Sequence, residues 1–278
     1  MSVLVTGASG AVGGAVVDGL VRAGIATVAT SRKPERLPLP DGARRFAADF
    51  DDPASFRDAL EGVDRAFLYA DLVDPSALLT TWATAGVRHV VLLSSSAVTA
   101  PDAADDFNGA RFLRVERAVR DSGLGYTFLR PGGFANNAAR WSWGIRTDRA
   151  VPLPYPGAVQ VPVHERDIAD VAVAALTSDE LTGRSPVLTG PERLTLREQV
   201  DIIADVVGTP VAVPVQTEHE SAAMLSRHLP DVWVRQIIAD WRHADGAAPA
   251  ISDEYTRITG KPSRTFRQWV EDHVDLFA

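Results

Sequence analysis

This 278-residue sequence predicts a doubly wound α/β fold built on a parallel sheet. Two observations carry that expectation. Short apolar runs rich in β-branched residues alternate with amphipathic stretches in units of about thirty residues, the period of strand–helix–strand crossovers. Directly after the first run stand Gly7, Ser9, Gly10, Val12 and Gly13, leading into a stretch with helical spacing. Such crossovers are right-handed, and ligands bind beyond the carboxyl ends of the strands they connect.

Residues 2–6 form the first strand and residues 11–23 the first helix, with Val12, Ala15, Val16, Leu20 and Ala23 recurring on one face. The turn between them has Gly-x-x-Gly-x-x-Gly spacing rather than Gly-x-Gly-x-x-Gly. It lets the backbone approach a diphosphate while the helix N-terminus offers unpaired N–H groups and a positive dipole end. A glycine-rich turn selected for packing alone is the other reading.

Residues 26–30 are the second strand, ending at Ser31-Arg32-Lys33. An acidic residue at this point would accept hydrogen bonds from ribose hydroxyls; two cations instead suit a 2′-phosphate, Arg32 meeting it through its planar fork. One charge-assisted bond of roughly 1.5–3 kcal/mol favours NADPH over NADH by about ten- to a hundredfold, so the expected cofactor is NADP(H). Two solvated charges at a strand end would leave the same residues.

A third strand over 46–48 ends at Asp49-Phe50, Asp52-Pro53 caps a helix over 53–60, and a fourth strand over 63–69 ends at Tyr69-Ala70. Asp49 either meets an adenine or caps its own loop. Asp74-Pro75 opens a helix to residue 85, and a fifth strand over 87–93 runs into Ser94-Ser95-Ser96. A long helix over 104–122 leads to a strand over 123–130 and the turn Pro131-Gly132-Gly133-Phe134. Residues 7–13, Ser31, Arg32, Asp49, Tyr69, Ala70 and 94–96 are therefore expected on one rim of the sheet.

In this order the pieces resemble the atypical short-chain dehydrogenase/reductases, and within them the NmrA-like, NAD(P)H-binding group. The matching stretches are Thr6-Gly-Ala-Ser-Gly-Ala-Val-Gly13, Arg32, Ala48-Asp-Phe-Asp-Asp-Pro53, Leu92-Leu-Ser-Ser95, Glu116, Tyr126-Thr-Phe-Leu-Arg-Pro131 and Asn136. His164-Glu-Arg-Asp-Ile-Ala-Asp-Val171 and Leu188-Thr-Gly-Pro-Glu192 continue the likeness, which covers residues 1–215. It implies that Gly7, Ser9, Gly10, Val12 and Gly13 line the diphosphate path, that Arg32 meets the 2′-phosphate and that Asp49 and Phe50 flank the adenine. It also implies that Ala70 and Ser94 border the ribose and nicotinamide and that Pro131, Gly132 and Phe134 close over the ring. The expected organisation is a Rossmann-type NADP(H)-binding domain over 1–150 and a small, mostly helical substrate lid over 151–278, with 165–190 packing back on the Rossmann core.

One departure from the short-chain dehydrogenase pattern bears on chemistry. The typical proton donor is a tyrosine with a lysine four residues later, and none of the four tyrosines has one: residues 73, 130, 159 and 259 are Val73, Arg130, Val159 and Thr259. Where the pair belongs the chain reads Asn108-Gly-Ala-Arg-Phe112. A positioned general acid is worth roughly 10²–10⁴ in rate. A ketone suffers most from its loss and a quinone least, because the reduced quinone is a phenolate whose pKa of about 10 water can satisfy. The expectation is an NADPH-dependent reductase of a quinone or polycyclic aromatic carbonyl in specialised metabolism, with O₂-coupled, monooxygenase-like hydroxylation as a variant. Ser94, Ser96 and Asn108 are candidates to bond substrate oxygens, or else serve as caps and strand-end turns. Phe112, Phe134, Trp141 and Trp143 offer aromatic surface for a small aromatic substrate, or else core packing, and His164 either bonds a product oxygen or is a loop histidine satisfied by backbone. A non-catalytic, NADP(H)-sensing regulator of the NmrA type is the alternative.

The C-terminal third carries a strand over 187–189, a capping box at Thr195 and Glu198 opening a helix to 207, a late strand over 211–215, and helices over 217–229, 231–243 and 263–277. A net charge of −8 argues against grip on a nucleic-acid backbone. Without cysteine there is no disulfide or thiolate chemistry, and the six histidines are scattered, so no metal is expected. No apolar run reaches membrane-spanning length, and a soluble, cytoplasmic protein is expected, its oligomeric state left open.

Overall fold

The computed structural model describes residues 1–69 and 75–278. The chain forms two compact units, one made of residues 1–132, 165–188 and 253–262, the other of 133–164, 189–252 and 263–278. The expected division at residue 150 thus falls earlier, at Gly132, and the first unit takes back two later segments.

The first unit holds a seven-stranded parallel sheet. Its strands are β1 (Ser2–Val5), β2 (Ala26–Ser31), β3 (Ala43–Ala47), β4 (Arg65–Tyr69), β5 (His89–Leu93) and β6 (Gly125–Pro131). After β7 (Val159–Gln160) in the other unit, β8 (Val187–Leu188) completes the order β3-β2-β1-β4-β5-β6-β8. β5 is buried along its whole length, as a central strand covered on both faces must be. Leu4, Val28, Leu68, Leu92 and Phe128 pack with Phe56 and Trp82 in one core.

Helix α1 (Ala11–Arg22) follows β1, α2 (Ser76–Thr84) precedes β5, and α3 (Phe107–Asp121) precedes β6. α3 starts at Phe107 rather than 104 because the Asp106 carboxylate accepts from the Gly109 N–H at 2.7 Å. The expected helix over 53–60 is two short 3₁₀ turns, Pro53–Phe56 and Asp58–Leu60. There the Ser55 hydroxyl bonds the Asp52 carbonyl at 2.6 Å, competing with helical pairing.

In sequence after α4 (Ser142–Asp148), which belongs to the other unit, comes α5 (Glu165–Thr177), which packs on α1. A Cβ at Gly19 would stand 2.8 Å from the Val173 side chain, so the glycine sets how closely these helices meet. Residues 253–262 return to this unit through Tyr255, whose buried ring directs its hydroxyl to Asp170 at 3.0 Å, and through an Arg184–Glu254 ion pair at 2.8 Å.

The second unit has α4, β7 paired antiparallel with β9 (Leu194–Thr195), α6 (Leu196–Val207), α7 (Glu218–Leu225) and α8 (Asp231–Ala244). The short α9 (Glu254–Thr259) lies in the first unit and α10 (Phe266–Asp272) in the second. Capping boxes open α6, α7 and α10 at Thr195, Thr217 and Thr265. Trp241, Phe266 and Trp269 are buried together in this unit's core. The late strand expected over 211–215 is only two isolated bridges, Ala150 with Ala212 and Leu153 with Val215. Pro214 lacks the N–H that would donate to the Val151 carbonyl between the Ala212–Arg149 and Gln216–Leu153 bonds, which interrupts the ladder. Among the described residues, no helix is long and apolar enough to cross a membrane.

Candidate functional site

The β1–α1 turn is built by close backbone approach. The Thr6 hydroxyl donates to the Phe67 carbonyl at 3.0 Å and accepts from the Tyr69 N–H at 2.9 Å, tying β1 to β4 beneath the turn. Gly7 adopts φ +64°, and a Cβ there would stand 2.9 Å from Tyr69 Cβ. The Gly10 N–H donates to the Gly7 carbonyl at 2.9 Å. At Gly13 a Cβ would fall well inside van der Waals contact with that same carbonyl. Two of the three motif glycines are therefore required by the shape of the turn itself.

Gly10 is the N-cap of α1, with no side-chain cap and no acidic residue in the first turn. The first intrahelical bond is from Gly14 to Gly10, so the amides of Ala11, Val12 and Gly13 have no acceptor in the helix. Val12 turns its side chain into the core, leaving only its N–H, while Ser9 and Gly10 are exposed. An open helix end of this kind is a seat for an anion.

Parallel register brings the other strand ends to the same edge of the first unit: Val5 pairs with Ala29 and Phe67, Tyr69 with Leu93, and Leu93 with Leu129. At the end of β2 the Ser31 hydroxyl accepts from the Lys33 N–H at 3.1 Å. Arg32 and Lys33 are exposed, and among the described residues neither side chain has an ion-pair partner. Asp49 caps its own loop, accepting from the Asp51 N–H at 3.1 Å, and Phe50 stacks on Phe56 at 5.9 Å. Both residues expected to flank an adenine thus have local roles. Tyr69 is 42% exposed, and Ala70 lies outside the described residues.

Beyond β5, Ser94 is 3% exposed and donates its hydroxyl proton to Glu116 at 2.7 Å. Glu116, on α3, also accepts from Arg130 through Nε at 2.9 Å and Nη2 at 2.7 Å. Sequence reasoning matched this glutamate but gave it no role; the signal was an acid between Val115 and Val119 on the buried face of its helix. Ser96 opens a 3₁₀ turn, Ser96–Thr99, capped by Ser95, and is half-buried like Asn108 in the first turn of α3. Phe112 packs against the sheet core with the Arg111 guanidinium 5.1 Å from its ring centroid. Pro131 is buried at the end of β6, and the Gly132 N–H donates to the Leu188 carbonyl at 2.9 Å.

The remaining expected residues belong to the second unit. Phe134 is half-buried and bridges to Val163. Trp141 is buried in that unit's core, whereas Trp143 is 64% exposed, the outcome of a two-residue separation in helical backbone. His164 is 1% exposed with Nε2 at 3.3 Å from an Asp272 carboxylate oxygen, so it is a buried histidine with an acidic partner rather than one satisfied by backbone alone. No group of three or more metal-ligating side chains occurs among the described residues.

A parallel sheet ordered 3-2-1-4-5-6, with an uncapped glycine turn after its first strand, defines a dinucleotide-binding protein. Comparison with known proteins agrees: residues 7–179 match the NAD(P)H-binding family. The chain is 38% identical over 281 residues to the (4-alkanoyl-5-oxo-2,5-dihydrofuran-3-yl)methyl phosphate reductase of Streptomyces griseus, covering 99% of each. It is 30% identical over 290 residues to the NAD(P)H azoreductase of Xenophilus azovorans, again covering 99% of each. In fold it is similar to an NADPH-dependent quinone oxidoreductase of Escherichia coli, with a TM-score of 0.81 over 99% of this chain and 100% of that one at 22% identity. The chain belongs to the NAD(P)H-binding family. It is an NAD(P)H-dependent reductase of that class.

Proposed function

We propose that this reductase uses NADPH to reduce a conjugated, electron-poor carbonyl acceptor, either a quinone or an enone held in a ring. The observation that carries this reading is the missing proton donor. No tyrosine is followed by lysine four residues on, and the Ser94 hydroxyl proton is already given to Glu116. An acceptor that becomes a delocalised phenolate or enolate needs no positioned acid, whereas an isolated ketone forgoes roughly 10²–10⁴ in rate.

When bound, NADPH supplies the hydride. The main chain of Gly7, Ser9, Gly10, Val12 and Gly13 holds the diphosphate, with Arg32 on the 2′-phosphate beside Ser31 and Lys33. Ser94, Pro131 and Gly132 line the nicotinamide side. The fit rests on the open α1 N-terminus and on a turn in which Gly13 admits no side chain. The relatives support the substrate class. The furanone in one relative's name carries a ring C=C conjugated, through one of its carbons, with both an acyl carbonyl and the lactone carbonyl, and an azo group is likewise a conjugated acceptor. Polycyclic aromatic substrates are less favoured than the sequence suggested, because Trp141 is a core residue and Trp143 faces solvent, leaving Phe134.

The test is NADPH consumption with a simple naphthoquinone, a 3-acyl-2(5H)-furanone and an unconjugated ketone of similar size. Turnover of either conjugated acceptor at least a hundredfold faster than the ketone is expected. Equal rates, or NADPH bound without consumption, overturn the proposal. Running the quinone assay in air and under argon tests the oxygen-coupled variant, which requires oxygen uptake stoichiometric with NADPH.

A further inference from the structure

Glu116 is 0% exposed in the middle of α3, and its carboxylate gathers four donors: Ser94 Oγ at 2.7 Å, Arg130 Nε at 2.9 Å, Arg130 Nη2 at 2.7 Å and Arg120 Nη2 at 3.3 Å. A carboxylate ringed in this way acts only as an acceptor. A serine hydroxyl has one hydrogen, and here it points at Glu116. What Ser94 can offer any other group is its lone pairs.

The place of this arrangement gives it a consequence. Ser94 is the first residue beyond β5, on the carboxyl edge, and its own N–H is tied to the Leu129 carbonyl at 2.8 Å, so the side chain starts from a fixed backbone. Arg130, the second anchor of Glu116, lies one residue before Pro131. The ion pair therefore sets both the polarity of Ser94 and the end of β6 where it enters the Pro131-Gly132 turn.

We infer that Glu116 is a positioning residue that makes Ser94 an acceptor-only contact, one that takes an N–H or O–H from the nicotinamide side of the bound dinucleotide and gives no proton to substrate. This rests on the cofactor placement proposed above. It predicts a coupling between two residues, not merely a loss at each.

The experiment is a double-mutant cycle read on NADPH dissociation constants, from quenching of tryptophan fluorescence, alongside thermal melts. Ser94→Ala is expected to weaken NADPH by about five- to tenfold, the worth of one hydrogen bond. Glu116→Gln should weaken it similarly in the wild-type background and by less than twofold when Ser94 is already alanine. The melting temperature should fall with Glu116→Gln in both backgrounds, because Arg130 loses its ionised partner in each. Equal, multiplicative losses of affinity would make Glu116 a structural residue only and overturn the inference.

If Glu116→Gln does not fold, Glu116→Asp keeps a charge for Arg130 while drawing the oxygen away from Ser94, and the same non-additivity is expected. Ser94→Thr, which retains a hydroxyl, should restore affinity to within about twofold. The pH dependence of quinone turnover should keep its shape in Ser94→Ala; loss of a titrating limb would mean that Ser94 donates a proton. If Arg32→Ala weakens NADPH while Ser94→Ala does not, the cofactor placement stands and this inference fails. If wild type binds no NADPH, both fail.

Discussion

The two edges of the seven-stranded sheet use their cationic residues differently. At the amino edge the charged groups around β4 and β5 are held by the protein. Arg65 reaches from β4 to the Ala175 and Ser178 carbonyls at 3.3 and 2.9 Å and pairs with Asp179. Arg88 pairs with Asp64 at 2.9 Å, and Asp64 also accepts from the Ser2 N–H at 3.2 Å. His89 bonds Thr127 at 3.1 Å, and Thr127 donates onward to the Leu181 carbonyl at 2.8 Å. At the carboxyl edge the α1 N-terminus has no cap, and Arg32 and Lys33 have no ion-pair partner among the described residues. Charges satisfied internally hold strands to helices; the charges and amides left open beside the glycine turn are those to which the proposal assigns the cofactor phosphates.

The hardest test of that contrast is Gly10→Val. Gly10 has φ −88° and ψ 164°, which valine adopts freely, and a Cβ there would stand 3.4 Å from the Gly7 carbonyl. The fold should tolerate the change while the branched side chain fills the anion seat. NADPH affinity is expected to fall by on the order of a hundredfold or more, the worth of two charge-assisted bonds, with a melt close to wild type. Equilibrium titration and calorimetry decide it. A variant that binds normally would show that the open amides serve no ligand.

Arg32→Ala sharpens the same side with a smaller effect. NADPH should weaken by about ten- to a hundredfold and NADH by less than about twofold, since only the former carries a 2′-phosphate. Equal losses would place that phosphate elsewhere.

His89 probes the opposite edge, where the consequence is stability rather than binding. Burial, reinforced by the Arg65 charge, pushes its pKa down to about 4. Because the folded protein holds this histidine neutral, its contribution is complete above a pH of about 6.5 and is lost as pH falls toward about 4. Between pH 7 and 5 the loss should reach about 1–2 kcal/mol at most. His89→Gln keeps an N–H for Thr127 and cannot titrate, so its denaturant midpoint should vary less over that range. An unchanged slope would assign the acid sensitivity to other groups.

What was legible beforehand follows from how local each signal is. The β1 turn and α1 could be read because glycine spacing, β-branched residues and helical periodicity lie within about twenty residues. The capping box at Thr195 was equally local and forms as expected. The boundary at Gly132 and the return of residues 253–262 were not legible. They depend on Tyr255 meeting Asp170 and Arg184 meeting Glu254, pairs whose separation of 85 and 70 residues leaves no periodic trace. At the site, residue types pointed to a nucleotide and to hydroxyls near it, but whether a hydroxyl is available depends on its partner. The sequence offers Ser94 as a candidate for substrate oxygens, but its partner Glu116 lies 22 residues on in another element. Phe50 shows the same limit, its stack on Phe56 being invisible until the loop is folded, whereas the Asp49 cap is one of the two alternatives the sequence offers.

The smallest effect separates two partners of one ion pair. Asp179 is 85% exposed on its side chain and Arg65 only 14%, so solvent screens what the carboxylate contributes while the guanidinium keeps two carbonyl bonds regardless. Asp179→Ala should therefore shift the melting temperature by no more than about 2 °C, an amount that shrinks further in 0.5 M salt, and leave NADPH affinity untouched. Arg65→Ala should cost several times more, because the Ala175 and Ser178 carbonyls at the end of α5 lose a donor that salt does not screen. If the two substitutions prove equal, the amino edge is held by the ion pair itself. If Asp179→Ala weakens NADPH, the two edges are not chemically independent, and the reading of open charge as ligand-binding charge loses its control.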